Sequence, residues 1–195
     1  MRLWTIQPMS VYNLIISEGH YICDDKKSHF LQERRFRRAY DWLVGKMTEI
    51  IGPAPEKVTY PVWAYLEKPD LSDYVDDYET ETQVCIEFEI DPKDVVFTKH
   101  DYWSNCALNF GPYIIANSYE EFDAKYDAIE ALPWPEQKKA IYDSWDNIIV
   151  PFEKVNKPYT QATFWILKSS QIKEVTFFEV KRSHQAAWRL LFFLF

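Results

Sequence analysis

Apolar positions recur at two different periods along this 195-residue chain, and the changes of period mark its elements. The opening "RLWTIQ" reads as a short strand stopped by Pro8. Ser10 is placed to cap a helix with "VYNLIISE" as its body, where Val11, Leu14 and Ile15 follow helical spacing and Gly19 takes the C-terminal position. In "QERRFRRAYDWLVGKMTEII", Phe36, Tyr40, Leu43, Met47 and Ile50 form one stripe of a longer helix, which Gly52-Pro53 ends. "VTYPVWAYL", Val58 to Leu66, is strand-like, and Pro61 inside it points to an edge or a bulge. An acidic loop from Glu67 to Thr82 precedes "QVCIEFEI", which alternates strictly. Val84, Ile86, Phe88 and Ile90 face one way, Cys85, Glu87 and Glu89 the other.

Asp91-Pro92 starts a helical turn and "VVFT" resumes a strand. Two helices follow. "SYEEFDAKYDAIEAL" has a capping box from Ser118 to Glu121 and a stripe of Phe122, Tyr126 and Ile129. "PEQKKAIYDSWDNII" has Pro135 in its first turn and Ile141, Trp145 and Ile148 on one face. The stretch from Tyr102 to Ala116 shows no clear period. Thr163 to Phe178, "TFWILKSSQIKEVTFF", then repeats the layout of "CIEFEIDPKDVVFT": strand, polar helical turn, strand. The expected fold is α+β, a single domain over residues 1–180. It has small split or mixed sheets with strand–turn–strand units, flanked by about four helices. Residues 181–195 form an apolar C-terminal tail, too short to span a membrane.

Composition supports a packed domain, with 47% hydrophobic and 27% charged residues. Four glycines are few, and neither G-x-G-x-x-G nor a Walker A pattern occurs. A net charge of −8 weighs against a nonspecific grip on nucleic acid, which needs clustered Lys and Arg. The one basic cluster, "ERRFRRAYDW" from Glu33 to Trp42, could hold a phosphate locally but reads first as the solvated face of a helix. Cys23, Cys85 and Cys106 with no signal peptide before them imply reduced thiols and a cytoplasmic protein. His20, His29, His100 and His184 are scattered, so no metal site is expected.

Candidate site residues are polar or aromatic positions on strands otherwise built for burial. Gln7, Tyr60, Gln161 and Thr163 must each find a hydrogen-bond partner there. Trp4, Trp63 and Trp165 could line a cleft and stack on a base, or pack as core. Asp41 is expected to pair with Arg37 or Arg38. Glu87 and Glu89 share a strand face about 7 Å apart, a spacing open to acid–base work but also that of a wetted face.

"LWTIQP", Gly19, "AYDWL" at 39–43, "TYPVWAY" at 59–65, "CIEFEI", "QATFW" and "VTFF" occur in an order that resembles the bacterial proteins grouped as domain of unknown function 3841. The likeness runs from Met1 to about Phe178. The architecture also resembles the ADP-ribosyltransferase fold, which binds NAD between two small sheets. That resemblance implies Thr5 or Gln7 on the first strand, Tyr60 in the middle and Gln161 late, with Tyr60 and Gln161 in the catalytic positions. Trp4, Thr5, Gln7, Trp63, Thr163 and Trp165 would then contact the cofactor. Those enzymes carry Arg or His early and Glu late; a glutamine at 161 keeps the hydrogen bond but not the charge, so binding would outlast catalysis. Two functions follow as expectations. One is a nucleotide-binding protein with NAD as ligand and doubtful catalytic competence. The alternative is a non-catalytic, acidic and aromatic-rich protein that binds another protein.

Overall fold

The computed structural model describes residues 1–72, 74 and 82–180. The tail at 181–195 and residues 73 and 75–81 of the acidic loop lie outside the described residues. Along the chain run β1 (Arg2–Pro8), α1 (Met9–Glu18), β2 (His20–Tyr21), α2 (His29–Gln32), α3 (Arg34–Ile51), β3 (Val62–Tyr65) and β4 (Gln83–Glu89). Then come β5 (Val96–Lys99), α4 (His100–Tyr102), α5 (Tyr119–Glu130), α6 (Trp134–Ser144), β6 (Ile149–Val150), β7 (Thr160–Phe164), β8 (Leu167–Lys168) and β9 (Ile172–Phe178). The chain is α+β, as its periods predict. It forms two compact units: Met1–Tyr21, Ala64–Asp91 and the described residues from Leu167 on, and Ile22–Trp63 with Pro92–Ile166.

In the first unit β4 carries an antiparallel partner on each edge. β1 pairs with it from Arg2↔Glu89 to Pro8↔Gln83, and β9 from Gln83↔Phe178 to Phe88↔Ile172, with a register shift at Glu87/Phe88. The alternation read from the sequence is realised, with Val84, Ile86, Phe88 and Ile90 all buried. Cys85 on the opposite face is buried as well, among Trp4, Lys68, Glu174 and Thr176. α1 starts directly after β1, so Pro8 is its N-cap, with φ −57°, and Ser10 falls inside the first turn instead of capping it. Gly19 closes α1 at φ +77°, a left-handed conformation that favours glycine, and its carbonyl accepts from the Ser169 amide at 2.9 Å.

The second unit is built around α3. Ala39, Tyr40, Leu43 and Met47 are buried in its core, while Ile50, the last member of the expected stripe, is 51% exposed. Gly52 ends the helix at φ +88°, and Trp165 Nε1 donates to its carbonyl at 3.2 Å. Pro61 precedes β3, so it takes no place in a ladder and neither an edge nor a bulge is needed to explain it. β5 pairs antiparallel with β6 on one side and with β7 on the other, Val96↔Thr163 through Lys99↔Thr160. Trp103–Ala107 forms a turn of π-helix, and Phe110 follows at φ +57°, an uncommon conformation for a residue with a side chain. Ile141, Trp145 and Ile148 bury the face of α6 and the 3₁₀ turn after it, as expected. α5 differs from expectation. Ser118 caps it, accepting from Glu121 N at 3.2 Å, but no residue of the helix is buried.

Trp145 packs edge-on to Trp42, Phe110 and Tyr142 and donates to the Gly111 carbonyl at 2.7 Å. Trp145→Ala should lower the unfolding free energy by about 3–5 kcal/mol in a denaturant titration. Tyr119→Ala, at a position 87% exposed, should change it by no more than about 0.5 kcal/mol. Comparable effects of the two would contradict this core.

Candidate functional site

Of the eight positions singled out for catalysis or cofactor binding, seven are held by internal contacts, and Gln161 is the exception. In the first unit, Trp4 Nε1 donates to Glu87 at 3.1 Å, and Gln7 Nε2 donates to the buried Thr5 hydroxyl at 2.8 Å. In the second, Tyr60 donates to Asp41 Oδ1 at 2.8 Å and Thr163 to the Val96 carbonyl at 3.1 Å. Tyr60 and Trp63 both stand edge-on to Tyr40, with ring centroids 6.0 and 5.9 Å from it. Trp165 is spent on Gly52, as above. Gln161 lies across from Thr98 on β5, and both its Nε2 and the Thr98 hydroxyl are buried without a hydrogen-bond partner among the described residues. Trp63 Nε1 is also buried without a bond of good geometry.

The carboxylate pair on β4 is a structural network. Glu87 takes Trp4 and, at 3.1 Å, Arg2; Glu89 pairs with Lys173 at 3.0 Å, whose hydrogen bond holds its pKa low. Burial pushes the Cys85 and Cys23 thiols up to about 11, so both are protonated at neutral pH and poor nucleophiles. Among the described residues, no group of three or more His, Cys, Asp or Glu side chains is arranged to hold a metal ion.

A ligand-sized cavity of about 590 Å³ opens elsewhere, in the second unit, within the roughly 300–1,000 Å³ typical of small-molecule sites. Its wall carries Arg34, Arg37 and Arg38 from α3 and Lys138 from α6. Phe110, Trp134 and Tyr142 supply aromatic rings, and Asp41 is the one carboxylate. The Arg38 guanidinium sits 4.0 Å from the Phe110 ring centre and Lys138 Nζ 5.7 Å from that of Tyr142. Arg37 is fixed by Asp25 at 3.3 Å and by the Leu31 carbonyl at 3.2 Å. Among the described residues, Arg34, Arg38 and Lys138 have no carboxylate partner. Trp134, 59% exposed, leaves its indole open at this cavity.

The spacing that builds this wall is in the sequence. Positions 34, 37, 38 and 41 fall on one face of a helix, beside the apolar stripe of 40, 43 and 47. The charge run forms a second stripe, and as expected of a solvated face Arg34, Arg37 and Asp41 are exposed. Asp41 takes its hydrogen bond from Tyr60 and not from Arg37 or Arg38 as expected, because Arg37 turns to Asp25 and Arg38 to Phe110. A second cavity, of about 570 Å³, mixes Lys99 and Lys154 with Asp101 and Asp146; there Lys99 bonds Tyr113 and Asp146 pairs with Lys46.

The family model described as Domain of unknown function (DUF3841) matches residues 2–173. The chain belongs to that family. No curated protein and no solved structure matches it. The region matched to DUF3841 contains every residue lining the Arg34–Asp41 cavity. Among the described residues, no helix is long and apolar enough to cross a membrane.

Burial first, and then the Asp41 carboxylate, push the Tyr60 hydroxyl up to about 12. An unfolded tyrosine ionises near about pH 10, so the stability from this group is whole below that pH and is lost as pH rises through the folded value. Tyr60→Phe should therefore flatten, without abolishing, the alkaline loss of stability; Tyr40, raised chiefly by burial, keeps part of it. Denaturant midpoints across about pH 8 to 12 would show this. Identical pH slopes for the two proteins would contradict the Tyr60–Asp41 bond.

Proposed function

We propose that this protein binds a phosphorylated, ring-bearing small molecule of the nucleotide class in the cavity between α3, Phe110 and α6. One observation carries the reading. A chain of net charge −8 gathers four cations against one carboxylate in a single ligand-sized cavity. Asp25 answers Arg37, but Arg34, Arg38 and Lys138 have no carboxylate partner among the described residues. Like charges gathered in this way repel one another, so the arrangement favours an anion that neutralises them. Guanidinium groups match phosphate oxygens in a fork geometry, and the neighbouring indole and phenyl faces suit a flat base. NAD, the ligand named by the architectural resemblance, belongs to this class, and its two phosphates suit four cations. Catalysis through Tyr60 and Gln161 stays a separate proposal, since neither lines this cavity.

The second reading, a protein-binding module, draws on α5. Tyr119, Phe122 and Tyr126 lie at helical spacing and are 87%, 40% and 41% exposed, amid acidic neighbours.

Thermal unfolding with AMP, ADP-ribose and NAD separates the readings. A ligand at one hundred times its Kd adds about 2.7 kcal/mol and should raise the midpoint by a few degrees. Arg34→Ala and Lys138→Ala, which remove cations without carboxylate partners, should each weaken binding on the order of tenfold and leave the unliganded midpoint in place. No shift with any of the three, or shifts indifferent to both variants, would overturn the nucleotide reading.

A further inference from the structure

The cavity's lone carboxylate carries an inference that rests on the nucleotide reading and sharpens it. Among the described residues, Asp41 accepts one hydrogen bond, from Tyr60 at 2.8 Å on Oδ1, and forms no ion pair with the cations of the cavity. An ionised carboxylate accepts at about four lone-pair positions, so most of its capacity is open. It offers no donor, and it repels phosphate. A negative group in an anion site must therefore meet a neutral, donor-bearing part of the same ligand.

The position of Asp41 on α3 says which part. It stands one helical turn beyond Arg37 and Arg38 and about 10 Å of helix rise beyond Arg34. A ligand whose phosphate engages the arginines thus presents the atoms next to its phosphate to Asp41. In a nucleotide those atoms are the sugar, and a ribose carries two adjacent hydroxyl donors. Tyr60 is itself anchored among Tyr40 and the core, and its bond fixes the carboxylate before any ligand arrives.

We propose that Asp41, held in place by Tyr60, makes this a ribonucleotide site by accepting hydrogen bonds from the ribose 2′- and 3′-hydroxyls. The phosphate lies on the α3 arginines and Lys138, and the base lies toward Trp134. The carboxylate then works as a selector: it penalises bare inorganic phosphates by repulsion and favours ligands that repay it with hydroxyl donors.

Calorimetric titration of the full chain with AMP, 2′,3′-dideoxy-AMP and pyrophosphate tests this. In the natural protein the dideoxy compound should bind about tenfold more weakly than AMP, the factor that one charge-assisted hydrogen bond supports. In Asp41→Asn, which keeps an acceptor for Tyr60, that ratio should fall toward one while pyrophosphate binds more tightly. Tyr60→Phe, which leaves the charge but frees the carboxylate, should reduce the ratio without tightening pyrophosphate. Equal binding of AMP and its dideoxy analogue in the natural chain would overturn the ribose assignment and leave the nucleotide reading intact. A ratio unchanged in Asp41→Asn would overturn the role of Asp41. Absence of binding by all three would overturn both.

Discussion

The second unit depends on α3 being amphipathic in an unusual sense: it has one face for the core and another for charge. Ala39, Leu43 and Met47 are fully buried, and Tyr40 nearly so, which fixes the rotation of the helix about its axis. Once that rotation is set, Arg34, Arg37, Arg38 and Asp41 have nowhere to point but along the adjacent face. Burial of a few aliphatic and aromatic groups, each contributing about 1.5–3 kcal/mol, thereby supplies the work of holding three like charges side by side. Gly52 and Trp165 fix the far end of the same helix.

The other wall is made by a different device. Phe110 sits in a left-handed conformation, which is costly by about 1–2 kcal/mol for a residue with a Cβ, and the packing of Trp145, Tyr142 and Trp134 around its ring offsets that cost. The result is a phenyl face presented to Arg38. In the first unit the charges are treated in the opposite manner. Arg2 and Lys173 each pair with a glutamate of β4, and Lys68, in the loop after β3, pairs with Glu174 of β9, so these cations are balanced. On the cavity wall Arg37 has Asp25, but Arg34, Arg38 and Lys138 have no carboxylate partner among the described residues, and that sets the cavity apart from the balanced cations of the first unit.

Much of the fold was legible from the periods alone. The alternation of Val84, Ile86 and Phe88 gave β4 its buried face, and the 3.6 period of Tyr40, Leu43 and Met47 gave α3 its core. The site was less so. The cation stripe was visible in "ERRFRRAYDW", but a net charge of −8 gave it little weight, since composition averages away a local cluster. Phe110 lay in a stretch without a period, and its role depends on one backbone angle that no pattern encodes. The Tyr60–Asp41 bond joins residues 19 apart in sequence, so only the folded chain could replace the expected Asp41–arginine pair. For α5 the period of Phe122, Tyr126 and Ile129 places them on one stripe, yet periodicity does not say whether anything covers it.

The most direct test of the central claim is to map amide ¹H–¹⁵N chemical-shift changes as AMP is added to the isotopically labelled protein. The account predicts that the largest changes cluster at Arg34 to Asp41, around Phe110 and from Trp134 to Tyr142. Changes centred instead on Thr5, Gln7 and Gln161, or absent at saturating AMP, would contradict it.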